Sequence, residues 1–123
     1  MYSPQVLAAF HHPRHAGALD RPDALARCEN PACGDVMQFA LQLASGRIAA
    51  VRFLVQGCVP AIAAAEALAA LAEGKTPSEA RALTRADLLR ALGSLPAPSR
   101  HAAALALETL AAALAQLPSE TAR

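Results

Sequence analysis

From Met37 the chain alternates: Met37, Phe39, Leu41 and Leu43 point to one side, and Gln38, Ala40 and Gln42 to the other. That is the period of a half-buried strand. After Ala44, Ser45 and Gly46 a second alternation puts Val51, Phe53 and Val55 on one face and Arg52 and Gln56 on the other. The two runs predict a hairpin, and period 2 makes its register decisive, because a slip of one residue turns a whole apolar set toward water. A two-residue turn at Ser45 and Gly46 would oppose Phe39 to Arg52 and Met37 to Leu54, leaving Val51, Phe53 and Val55 on the wrong face. A three-residue loop, residues 44 to 46 with the glycine in the left-handed conformation, opposes Phe39 to Val51 and Met37 to Phe53, and this register is the expectation. Extended backwards, it sets Asp35 opposite Val55 and Cys33 opposite Gly57, so that Cys33, Asp35 and Cys58 gather at one end of the hairpin.

The flanks read as helices. Ser3 followed by Pro4 is an N-cap with proline at the first helical position, and that helix should end near His12, before Pro13. Residues 12–31 hold three prolines and no steady period, an irregular crossing segment with room for one short strand. Beyond Cys58, Pro60 opens an alanine-rich helix that Gly74 stops. Thr76 and Thr84 can cap short helices near residues 77–83 and 85–92. Ser99 is expected to cap the last helix, in which Leu107, Leu110, Leu114 and Leu117 form a core stripe. Strands and helices are segregated, which argues for an α+β fold in one domain over residues 1–123.

Composition narrows the function classes. Eleven basic against ten acidic residues, with aromatics at 3%, provide neither a basic stripe nor stacking platforms, so nucleic acid is not an expected partner. Glu66 and Glu108 interrupt the longest apolar runs, which fall short of the roughly 20 residues a bilayer needs. The first residues show no basic region ahead of an apolar core, and a cytoplasmic location is the expectation. Three cysteines, an odd number, then point to reduced thiols or a metal site.

Cys33, Asp35 and Cys58 offer two soft thiolates and one hard carboxylate, and a tetrahedral metal wants a fourth ligand. His101 is the candidate: it falls in the first turn of the last helix, whose positive end favours the neutral ring that binds metals. Spacing alone leaves its position relative to the hairpin open. His11, His12 and His15 read as solvated loop residues, and Cys28 as an additional loop cysteine near enough in sequence to fold back toward the site.

A-C-G-D at 32–35, G-C at 57–58 before an alanine-rich helix, "LPAPSRHAAALA" ahead of the last helix and "YSPQVLAAFHHPRHAG" at the start together resemble the iron-sulfur assembly scaffolds of the NifU N-terminal and IscU type, with SufU a cousin. The resemblance covers nearly the whole chain. It implies a three-stranded antiparallel sheet with helices packed on it, and a domain that receives sulfur from a cysteine desulfurase, holds a labile [2Fe-2S] cluster, iron or Zn2+, and delivers the cluster to recipient apoproteins. By position, Cys33 and Cys58 match the first two ligand cysteines, Asp35 the aspartate that keeps the cluster labile, and His101 the histidine before the third cysteine. That third cysteine is Ala102 here, so persulfide would fall to Cys33, Cys58 or Cys28. Residues 95–99, "LPAPS", lack the lysine of the chaperone-recognition motif Leu-Pro-Pro-Val-Lys, so the resemblance does not extend to the dedicated chaperone.

Three readings follow from it: a divergent, non-enzymatic scaffold or carrier; a zinc-holding, sulfur-accepting partner or regulator of a desulfurase, a sulfurtransferase if Cys33 turns over; and a degenerate paralogue that holds no metal and works through protein contacts.

Overall fold

The hairpin forms with the apolar faces aligned, but a bulge sets its frame, not a longer loop. The computed structural model describes residues 2–31, 34–96 and 99–117. Strand β2, Val36–Ala44, pairs antiparallel with β3, Arg47–Gln56. The turn is two residues long, since Ala44 pairs with Arg47. Ser45 at φ 55° and Gly46 at φ 76° are both left-handed, as a primed turn between right-twisted strands requires. Left alone, that turn would misface the strands as the sequence argument says. Between Gln42/Ala50 and Leu43/Ile48 the register shifts, and Ala49 is the extra residue. The bulge restores the frame: Leu41 faces Val51, Phe39 faces Phe53 and Met37 faces Val55. The expected pairs Phe39/Val51 and Met37/Phe53 are therefore corrected by two residues. A three-residue loop and a two-residue turn plus one bulge bury the same side chains, so burial alone does not separate them.

The segment before the hairpin does hold one strand, β1, Ala24–Glu29, which completes a sheet of order β1-β2-β3. Cys28 lies in this strand opposite Met37, half-buried against the core, and is not the loop residue expected. Helix α1, Pro4–His11, starts on a Ser3 side chain that accepts from the Val6 N–H. Helix α2, Val59–Ala72, is buried on almost every side, largely through Ala61, Ala63, Ala64, Ala65, Ala69 and Ala72. The short α3, Pro77–Arg81, and α4, Arg85–Ala91, each open with a capping box, Thr76 with Glu79 and Thr84 with Asp87. Helix α5, His101–Leu114, has Arg100 as its N-cap, with no side-chain cap hydrogen bond, and this corrects the expectation that Ser99 caps it. No helix among the described residues is long and apolar enough to cross a membrane.

The core lies between one sheet face and α2 and α5. Met37, Phe39, Leu41, Ile48, Val51 and Phe53 meet Leu68, Leu105, Leu110 and Leu114 there. Phe39 and Phe53, paired across the strands, touch edge to face at 6.5 Å.

Deleting Ala49 should force either Ile48 or Val51 out of the core, and each is now fully buried. We expect a loss of about 3 kcal/mol or more. Ala49→Ser, at an exposed position, should cost far less; urea unfolding of the two variants checks the difference.

Candidate metal site

Everything in the site hangs from the open end of the hairpin. The last pair of the ladder is Val36 with Gln56, so the next residues out, Asp35 and Gly57, come side by side. Asn30, just past β1, is tied to both Asp35 and Gly34: its N–H donates to the Asp35 carbonyl at 2.8 Å, and the Gly34 N–H donates to its carbonyl at 2.7 Å. Asp35 is buried, 7% exposed. Its carboxylate lies so close over Gly57 that a Cβ there would fall 2.8 Å from its Cγ and Oδ1. Glycine is thus required at 57 by approach, not by a left-handed backbone.

Cys58 follows as the N-cap residue of α2, in extended conformation, and Pro60 sits in the first turn. The thiol is exposed at the mouth and donates to Oδ2 of Asp35 at 3.4 Å. His101 opens α5, whose start is fixed by buried Leu95 and by Arg100 Nε donating to the Leu95 carbonyl at 3.4 Å. Its Nε2 lies 3.8 Å from Oδ2 of Asp35. The N-terminal ends of α2 and α5 both arrive at this carboxylate, a favourable place for negative charge.

Ligand atoms of Asp35, Cys58 and His101 all lie within 4.8 Å of one another. Two ligands on a tetrahedral ion at ordinary bond lengths stand about 3.4 to 3.8 Å apart. The two distances to Oδ2 fall in that range, so the carboxylate oxygen stands between one sulfur and one nitrogen in a donor set that suits a small soft-to-borderline cation. Cys33, the fourth expected member, lies outside the described residues, between Pro31 and Gly34. So do Ala97 and Pro98 of the 95–99 stretch. Ala102 is fully buried in the first turn of α5. Cys28, on the same strand face as Asp35 and diagonal to it across the β1–β2 pair, does not join the three-residue group.

Partial burial of the Cys58 thiol pushes its pKa up; the Ala61 N–H pulls down, and hydrogen bonding and repulsion from Asp35 push up again, leaving the thiol raised. The neutral thiol is the form a carboxylate neighbour favours, and a cation that takes up both groups displaces the proton. The sequence reading missed His15, which is not a solvated loop residue: it is tucked beside Glu66, away from this site. The signal available for it was Glu66 itself, an acid inside an alanine-rich buried helix.

The NifU-like N terminal domain family matches residues 1–123 of this chain. An iron-sulfur cluster assembly scaffold protein IscU of Archaeoglobus fulgidus is 36% identical over 114 residues, covering 93% of this chain and 74% of the relative. An IscU scaffold of Aquifex aeolicus is 38% identical over 115 residues, covering 92% and 73%. Among solved structures, a nitrogen-fixing NifU-like protein (N-terminal) from Brucella abortus superposes with a TM-score of 0.77 at 20% identity, over 93% of this chain and 92% of that one. A candidate scaffold for the SUF system from Fervidobacterium islandicum gives 0.78 at 18%, over 92% and 96%.

Two results would test the geometry. Asp35→Ala should speed Cys58 alkylation several-fold at neutral pH, read peptide by peptide by mass spectrometry, because it removes the carboxylate that favours the protonated thiol. Gly57→Ala should displace the Asp35 carboxylate from the Cys58 thiol and speed alkylation of Cys58 in the same assay, while leaving a folded sheet.

Proposed function

Because this chain belongs to the NifU-like N-terminal domain family, we propose that it is a divergent iron-sulfur assembly scaffold, a carrier and not an enzyme, whose substrate is a labile [2Fe-2S] cluster or its iron. The observation that carries this is the convergence of Asp35, Cys58 and His101 at one opening. Cys33, Cys58, Asp35 and His101 would hold the cargo. The two thiolates suit iron and sulfide, while the hard carboxylate weakens the set and favours release. Sulfur would come from a cysteine desulfurase, and the cluster would go to recipient apoproteins.

The protein's part is arrangement. Gly57 lets Asp35 reach the cargo, the α2 cap presents Cys58 outward, and α5 brings His101 over the mouth. With Ala102 buried where the family resemblance expects a third cysteine, the remaining thiols must accept sulfur.

A second reading has one observation in its favour: the 3.4 and 3.8 Å spacings suit a single tetrahedral ion. In that reading the chain holds Zn2+ and serves a desulfurase as sulfur-accepting partner or regulator.

Protein purified without air, assayed for metal and acid-labile sulfide beside Cys33→Ser, Cys58→Ser and Ala102→Cys variants, separates these readings. Iron with sulfide in the natural chain, lost in both serine variants, is the expected result. Zinc alone, with cluster assembly gained in Ala102→Cys, would support the second reading. Neither metal nor sulfide in any of them would overturn both.

A further inference from the structure

Away from the metal site, the His15 ring faces a carboxylate at each nitrogen. Nδ1 is 2.6 Å from Oε2 of Glu66, and Nε2 is 3.2 Å from Oε1 of Glu73. The His15 backbone N–H donates to Oε1 of Glu66 at 2.8 Å. The ring is 12% exposed and the Glu66 side chain 10%. An imidazole offers an N–H from both nitrogens only when doubly protonated. With one proton fewer, a lone pair would point at a carboxylate in a place water largely does not reach, which is a repulsive contact.

The ring anchors backbone. Phe53 N–H donates to the His15 carbonyl and Gly17 N–H to the Phe53 carbonyl, each at 2.9 Å, so Ala16 bridges in parallel to the outer edge of β3. Charged groups approach from two elements: Glu66 and Glu73 from α2, and Arg52 from β3, 3.5 Å from Oε2 of Glu73. From α1, the groove that Glu66 lines receives Gln5 and Ala9, neither of them charged. Burial pushes Glu73 up, but the Val51 N–H, His15 and Arg52 outweigh it and hold Glu73 below the usual carboxylate range.

We propose that His15, Glu66 and Glu73 form a proton-operated clasp, which fastens residues 15–17 to β3 and α2 when the ring is doubly protonated and frees them when it loses a proton. The elements it joins are those that meet at Cys58: β3 leads into that residue and α2 starts from it. The closed side is the acid side. The two carboxylates hold the ring only while both of its nitrogens carry a proton, so they contribute on the acid side and not on the alkaline side. The lowered Glu73 keeps its charge further into acid and widens the closed window.

Hydrogen exchange of the Gly17 and Phe53 amides in the full chain, corrected for intrinsic rate between about pH 5.5 and 8.5, tests the clasp. Protection should fall about tenfold with rising pH in the natural protein. His15→Asn should remove that dependence. Should His15→Asn fail to fold by circular dichroism, Glu73→Gln decides, and there the loss of protection should move to lower pH. Protection that ignores pH in the natural chain, a dependence that survives in His15→Asn, or a Glu73→Gln profile unchanged from the natural one would overturn the proposal.

Discussion

A sheet with one face in the core and the other in water admits only one parity of pairing, and the rest of this molecule depends on how the hairpin satisfies it. The primed turn at Ser45 and Gly46 supplies the twist but the wrong frame, and the unpaired Ala49 corrects it within the strand. The consequence is carried to the far end of the ladder. Because Val36 ends opposite Gln56, the buried carboxylate of Asp35 stands beside a residue with no side chain. One residue of slippage would place it over Gln56 or Cys58.

The outer edge of β3 is taken up by pieces that are not strands. Ile48 exchanges hydrogen bonds with Gly74 and Lys75 from the turn after α2, the Val51 N–H goes to the Glu73 side chain, and Phe53 is paired by residues 15–17. On the other edge the Gln116 amide accepts from the Leu25 N–H and donates to its carbonyl, imitating a strand for one rung. The sheet is therefore stopped at three strands by short tethered segments. The same segments hold α2 and α5 in position, so that their first residues, not their last, arrive at Asp35.

Much of this was legible in the sequence. Alternation located β2 and β3, threonine caps located α3 and α4, and glycine-cysteine ahead of an alanine-rich run located the start of α2. The convergence of Asp35 with Cys58 followed from almost any register of correct parity, which is why an error of two residues in pairing left it intact. What was not legible has physical causes. A bulge and a longer loop present the same periodicity. Strand β1 is only six residues long, with arginine and glutamate on its outward face, and nothing local separates it from an extended loop. His15 looked solvated because its partners lie 51 and 58 residues away. Ser99 looked like a cap because residue type alone does not reveal that the N-cap position falls one residue later, on Arg100.

Helix α2 is narrow, since six of the nine residues it buries are alanine. Its backbone can lie close against sheet and neighbouring helices, and ordering it costs little side-chain entropy. The vulnerability this creates runs opposite to that of a leucine core. There is little to lose by truncation at these positions, but no room for an added methyl, so the damaging changes are those that thicken the helix and push Cys58 away from Asp35.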